Sequence, residues 1–301
     1  MRLSLENVDM TSDSGPNHFG KKLYKYLNKS NKIFFEEPYE ISLCFIESNR
    51  DHFDIPMVQR LDGIYFNTRQ NHIMQNMNIK RTYDNASGVV FQSYFNKELV
   101  FKYFGEHKNY DVIHNGADIE FINEIRPLKN INIDKFENVW SCASSWRPHK
   151  RLEDNINYFL QHSGEKDCLV IAGDTRIKNI VVHDRIFFAG TLDVQNLISL
   201  YKRSKFFIHL SWLDHCPNVV VDALASGCQV ICSSSGGTKE IAGKNAIVIE
   251  EEEEWDMSPV DLYSPPIMDF SKKVKNNWDM SYNMEGVAEK YIYFLNKVFK
   301  H

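Results

Sequence analysis

Ser211-Trp212-Leu213-Asp214-His215-Cys216-Pro217-Asn218-Val219-Val220-Val221-Asp222-Ala223-Leu224-Ala225-Ser226-Gly227 lies between two short apolar runs, 206–210 and 229–232. Apolar runs of that length suit strands buried on both faces. Across 218–226, Val219, Val220, Ala223 and Leu224 fall on one side of a helix. Pro217 suits the first helical turn, where a missing N–H costs nothing. Gly227 suits the helix exit. The order strand, loop, helix, strand is the unit of a parallel α/β sheet. In that unit the amides near Asn218, Val219 and Val220 point at the crevice above the strand ends and attract anions. Asp214 and Asp222 frame the same position, where carboxylates suit sugar hydroxyls better than phosphate. A capping loop with one exposed helical aspartate accounts for the same spacing.

The unit recurs outward in both directions. Runs at 41–46, 88–91, 139–143, 168–172 and 185–189 read as further buried strands, and 196–203 has helical spacing through Leu197, Leu200 and Tyr201. The fold class expected is α/β with doubly wound sheets. Asn115-Gly116-Ala117-Asp118 is a turn signal. It sets a first domain at 1–116 and a second at 117–275. The tail, 276–301, holds a helix over 285–299 with an apolar side that would pack back on the first domain.

A length of 301 residues allows about two domains. With 35 basic and 40 acidic residues the net charge is −5, and 43% of residues are hydrophobic. That balance excludes a disordered chain and a nucleic-acid-coating protein. No run of 18 apolar residues predicts a membrane span, and the first residues lack the apolar core of a signal peptide. A cytoplasmic protein is expected, with peripheral membrane contact compatible. The six cysteines form no CxxC pair, so reduced buried thiols are expected. His209, His215 and Cys216 fit none of the usual zinc spacings, and no metal site is predicted. The five glutamates at 250–254 read as a solvated loop.

Three more segments carry chemistry. After the run 139–143 comes Ser144-Ser145-Trp146-Arg147-Pro148-His149-Lys150-Arg151, with three cations in five residues. Arg147 and Lys150 there suit a diphosphate, the former as a planar fork and the latter as a point charge; a solvated basic turn is the alternative. After 229–232 comes Ser233-Ser234-Ser235-Gly236-Gly237-Thr238-Lys239-Glu240, small enough for backbone amides to approach a ligand. Ser14-Gly15-Pro16-Asn17-His18-Phe19-Gly20 reads as a glycine loop before an amphipathic helix.

Taken together, these segments resemble the retaining GT-B glycosyltransferases, the large family that includes sucrose synthases and many bacterial mannosyl- and glucosyltransferases (glycosyl transferases group 1). Asp214, seven residues, Asp222, then Gly236-Gly237-Thr238-Lys239-Glu240 look like its donor site, where two glutamates are usual. Ser145 to Lys150 is similar to its basic donor-phosphate loop. Val112-Ile113-His114-Asn115-Gly116-Ala117-Asp118 resembles its interdomain turn, and Gly15 and Gly20 its first-domain glycine loop.

The resemblance implies two Rossmann-like domains facing across a cleft, with the C-terminal helix returning to the first. It implies a hexosyltransferase (EC 2.4 class) of glycan biosynthesis, moving a hexose from a UDP- or GDP-sugar to a hydroxyl of a glycan, lipid or small-molecule acceptor with retention. No cofactor, metal or nucleic acid is called for. Lys150 and Arg147 would bind the diphosphate, Asp222 the ribose and Asp214 the transferred sugar. Amides of Asn218, Val219 and Val220, and of Gly236, Gly237 and Thr238, would hold phosphate and sugar. Gly173 with the loop after it, Gly190 and Leu192 would lie near the base. Glu240 matches a family carboxylate of structural role. There are departures. Both glutamates are aspartates here, one methylene shorter. The usual arginine five positions before the lysine is Ser145. Leu61 occupies a common histidine position, which leaves Arg60 and Asp62 for acceptor-side chemistry; a buried structural pair is the alternative. A binding-only relative and a nucleotide-sugar epimerase stay open. A dehydrogenase is disfavoured because no G-x-G-x-x-G follows a strand.

Overall fold

The computed structural model describes residues 1–12, 14–175 and 183–300. In the first half, strands β1 (Leu3–Glu6), β2 (Ile41–Phe45), β3 (Met57–Leu61), β4 (Gly88–Phe91) and β5 (Tyr110–Val112) form one parallel sheet in sequential order. Helix α1 (Gly15–Lys29) lies on one face of it. Helices α2 (His72–Asn85) and α3 (Tyr94–Phe104) lie on the other. The alternation within strands shows why. Val58 and Val90 face the α1 side, and Leu61, Val89 and Phe91 face α2 and α3.

After α4 (Ile119–Glu124) the second half follows. It comprises β6 (Asn138–Ala143), α5 (Leu152–His162), β7 (Asp167–Ala172), β8 (Ile186–Gly190), α6 (Val194–Arg203), β9 (Ser204–His209), α7 (Asn218–Ala225), β10 (Gln229–Ser233), α8 (Thr238–Ile241), β11 (Ile247–Ile249) and β12 (Lys273–Val274). Their sheet order is β12-β11-β10-β9-β6-β7-β8, parallel except at β12. Strand order therefore reverses between β6 and β9. That switch point is where open α/β sheets bind ligands, because the loops leaving the two strands diverge there. The last helix, α9 (Met284–Phe299), buries Val287, Tyr291, Phe294, Leu295 and Val298 in the core that α1 builds with Phe19, Leu23 and Leu27.

Several local expectations are corrected. Helix α1 begins at Gly15, so Gly20 is not in a loop; it faces inward, where a Cβ would press on Val8 and Phe45. Pro217 is the N-cap of α7, not its first residue. The run 250–254 is not wholly solvated, since Glu251 is buried in a pair with Arg151 at 2.6 Å. The stretch 255–263, assigned to the second domain, packs on the first. Trp255 lies 4.8 Å from the ring of Phe66, and Val260 N donates to Phe66 O at 3.0 Å. Trp255, Met257, Val260 and Leu262 are all apolar enough to cover the α2–α3 face. All six cysteines are buried and free. No helix among the described residues is long and apolar enough to cross a membrane.

Candidate active site

A cleft of about 910 Å³ runs between the two halves, lined from the first by Gly15, His18, Arg60, Asp62 and Asn115. From the second come Arg147, Lys150, Gly173, Leu192, His209, Asp214, Asn218, Val219 and Asp222. The loop after β6 supplies Arg147 and Lys150, and the loop after β9 supplies Asp214 and the start of α7. These are the two strands that flank the switch point, so sheet topology alone brings the segments together.

The basic turn is shaped by Pro148–Lys150, one turn of 3-10 helix, and by Arg151, which sits at φ +51°. Arg151 is not a cleft cation. Its guanidinium is buried on Glu251 and on the Pro266 carbonyl at 2.8 Å, which pins the turn from beneath. Lys150 Nζ reaches Asp214 Oδ2 at 2.5 Å, and His209 Nε2 reaches the same oxygen at 2.9 Å. Asp214 Oδ1 accepts from His215 N at 3.0 Å. Burial works to raise the Asp214 pKa, but Lys150 and His209 outweigh it and hold the carboxyl well below its usual range. Burial also pushes His209 down, against the pull of Asp214. A neutral imidazole donating through Nε2 satisfies both. Arg147 is exposed on the cleft, with no ion pair among the described residues.

Asp222 turns toward the first domain. Lys22 Nζ lies 3.1 Å from Oδ1, and His18 Nε2 lies 3.4 Å from Oδ2. Lys22 and Asp222 are both buried. Burial works to raise the carboxyl's pKa, and the neighbouring Lys22 and His18 lower it overall. Taking one partner from a buried ion pair costs roughly 3–5 kcal/mol. A hydrogen bond to a charged group contributes about 1.5–3 kcal/mol. A neutral hydroxyl is therefore a poor replacement for Lys22.

Two helix N-termini meet at the cleft. Gly15 opens α1, Asn218 opens α7, and Asn218 Nδ2 donates to Gly15 O at 2.9 Å. Asn218 and Val219 line the cavity, whereas the Val220 amide turns to Pro217 O at 3.1 Å and its side chain is buried. Val220 is thus in the core, not at the anion position. Gly236, Gly237 and Thr238 also stand away from the lining. Gly237 N donates to Asp214 O at 2.8 Å, and a Cβ at Gly237 would strike the His215 carbonyl. These small residues let the β10 loop pack closely behind the Asp214 loop. Gly173 lines the cleft and donates to Gly190 O at 2.7 Å. Gly190 itself is exposed beyond the lining. Part of the loop after Gly173, 176–182, lies outside the described residues.

Arg60 is buried, paired with Asp62, and donates to Asn115 Oδ1 at 2.7 Å. Its guanidinium carbon stands 4.1 Å from the Phe19 ring centroid and 4.9 Å from that of Phe45. The pair is a buried structural one, and it also lines the cleft. Glu240 accepts from Tyr94 N and Phe95 N, each at 2.8 Å, and from His114 Nε2 at 2.7 Å. It therefore caps α3 from the opposite domain.

Sequence reasoning missed His18, Lys22 and His209 as site residues. His18 and Lys22 are four apart on α1, a spacing that puts them on one face. Nothing local marked His209, a polar residue ending an apolar strand.

Residues 127–258 match the sequence model of the family described as Glycosyl transferases group 1. An uncharacterised glycosyltransferase of Methanocaldococcus jannaschii, MJ1069, is 25% identical over 187 residues, 57% of this chain and 47% of that protein. The chain spans about half the length of that relative. Among solved structures, sucrose-phosphate synthase from Thermosynechococcus elongatus superposes with a TM-score of 0.67 at 13% identity, covering 84% of this chain and 86% of that one. Anabaena HepE, solved with UDP-glucose, gives 0.62 at 13% identity, covering 100% and 98%. At such identities the likeness shows the fold. Residues 127–258 are thus similar to the glycosyl transferases group 1 family, and the chain carries the GT-B fold.

Proposed function

We propose that the protein transfers a hexose from a nucleoside diphosphate sugar, a UDP- or GDP-sugar, to an acceptor hydroxyl with retention at the anomeric carbon. The observation that carries this reading is the convergence of Arg147, Lys150 and the N-termini of α1 and α7 on one cleft at the switch point. That HepE was solved with UDP-glucose, and a starch synthase of Arabidopsis thaliana with ADP and acarbose, supports it. The bond from the sugar's anomeric carbon to the diphosphate oxygen breaks, and its electron pair leaves with the diphosphate. A bond from the acceptor oxygen to the same carbon forms on the same face, and the acceptor's proton passes to the departing phosphate oxygen. Arg147, Lys150 and the amides of Asn218 and Val219 oppose the growing negative charge. Fixed electrostatics of this kind are usually the largest catalytic term. Arg60 and Asp62 lie on the acceptor side. The cations and helix dipoles supply the charge that a divalent metal would, so chelation with EDTA is expected to leave the rate unchanged.

The test is a thermal-shift panel of UDP-, GDP-, ADP- and dTDP-sugars, followed by transfer assays. A ligand at 100 times its Kd raises stability by about 2.7 kcal/mol. Stabilisation by none of them overturns the reading. Binding without transfer to any acceptor leaves a binding-only relative, and an inverted product by NMR overturns retention.

A further inference from the structure

Family resemblance gives Asp222 to the donor's ribose and Asp214 to its hexose, yet both carboxylates face cations of the protein. Asp222 meets Lys22 on one oxygen and His18 on the other, at 3.1 and 3.4 Å. On Asp214 a single oxygen takes both Lys150 and His209, and the other takes a backbone amide. We infer that in this chain the two aspartates pair with lysines of the protein instead of reading donor hydroxyls, so that the donor is held through its diphosphate and the ribose diol goes largely unread. This rests on the nucleotide-sugar reading above.

Three observations support it. First, an aspartate keeps its carboxylate one methylene nearer the backbone than a glutamate at the same place. On α7 that leaves the Asp222 carboxylate at the cleft wall with both oxygens turned to Lys22 and His18 of α1. Second, α1 is not free to withdraw Lys22. Phe19, Leu23 and Leu27 of the same helix are fully buried in the first domain's core. Third, Lys22 and Asp222 have side chains only 8% and 10% exposed. An uncharged hydroxyl that displaced either partner would leave a buried charge unmatched, and the magnitudes given above favour the ion pair. Anchored in this way, Lys150 is held as a fixed positive charge on the cleft wall, while Lys22, in the adjoining cavity behind Asp222, offsets that carboxylate's negative charge.

Isothermal titration of the intact wild-type protein tests this without any variant. UDP, GDP and ADP are each compared with the 2′-deoxy and 2′,3′-dideoxy nucleoside diphosphate of the same base. A site built to hydrogen-bond a substrate hydroxyl rejects an analogue lacking it by orders of magnitude. Here the deoxy and dideoxy forms are expected to bind within about fivefold of the parent. The monophosphate should bind more than about thirtyfold more weakly, because it lacks the group the cations hold. A ribose effect above fivefold overturns the inference while leaving the donor reading intact. Binding of none of the diphosphates overturns the donor reading and this inference with it. Lys22→Met supplies an independent check. It should weaken parent and deoxy ligands by the same factor, and loss confined to the parent overturns the anchor role.

Discussion

Gly173 holds φ at +105°, and a Cβ there would strike the Ser144 carbonyl oxygen. Both features demand glycine, because the strand end of β7 must pass directly under the loop that leads to the basic turn. Gly173→Ala is expected to cost about 1–3 kcal/mol, read as a lower urea midpoint at unchanged slope. Lys150 tests chemistry rather than packing. Lys150→Ala should lower kcat about 10²–10³-fold, the loss seen when one electrostatic stabiliser is removed. Full activity with unchanged donor affinity would sink its role. Both residues were legible in the sequence as a glycine and a lysine at strand ends. The sequence did not reveal that Lys150 is held by Asp214 and His209, since those side chains come from a strand and loop some sixty residues away.

Elements show the same division. The buried runs of β4, β6, β7 and β10 and the helical spacing of α6, α7 and α9 were readable because each element's apolar pattern is local. Short edge strands such as β5 and β12 were not, because three or two residues carry no period. Nor was the cap of α3, whose acceptor arrives from 146 residues along the chain. Glu240→Ala would leave the Tyr94 and Phe95 amides and the His114 ring without their acceptor. Each orphaned buried group costs about 1–3 kcal/mol, so a loss of at least ~2 kcal/mol is expected in urea unfolding, with α3 amides exchanging faster by hydrogen–deuterium exchange. Unchanged stability would show the cap to be dispensable.

For the whole molecule, three histidines in and beside the cleft, shielded from solvent, set an acid limit. Burial pushes His149 down to about 3 and His215 to about 4, and it lowers His209 as well. Their ordinary value is near 6.5, so below that pH the unfolded chain takes up protons that the folded chain refuses. Stability therefore falls as pH drops, by roughly 1.4 kcal/mol per pH unit for each histidine, and for His215 the fall stops near pH 4. Asp214 and Asp222 act in a lower window. Their folded pKa values lie below the ordinary 3.8, so their contribution is fully present above that value and is lost as pH falls through the lower ones. Urea midpoints at pH 7 and pH 5 should differ in favour of pH 7, and His215→Leu should flatten the slope by one proton. No pH dependence between 7 and 5 would contradict the buried, neutral state of these rings. Ending the chain at Asn283 removes Tyr291, Phe294 and Leu295 from the first domain's core and should abolish cooperative unfolding by circular dichroism.

The α/β class, the positions of most buried strands and the two loops that meet the cleft are all encoded locally along the chain. Those properties follow from apolar periodicity, glycine and proline placement, and charge at strand ends, all written within a dozen residues. Tertiary structure alone decided which partner each charge takes. It turned Asp222 to Lys22, Asp214 to Lys150 and His209, Glu240 to the start of α3, and the 255–263 stretch onto the opposite domain. Ion pairing at about 3 Å is short-ranged, and which groups come that close depends on how two separately coded sheets are docked.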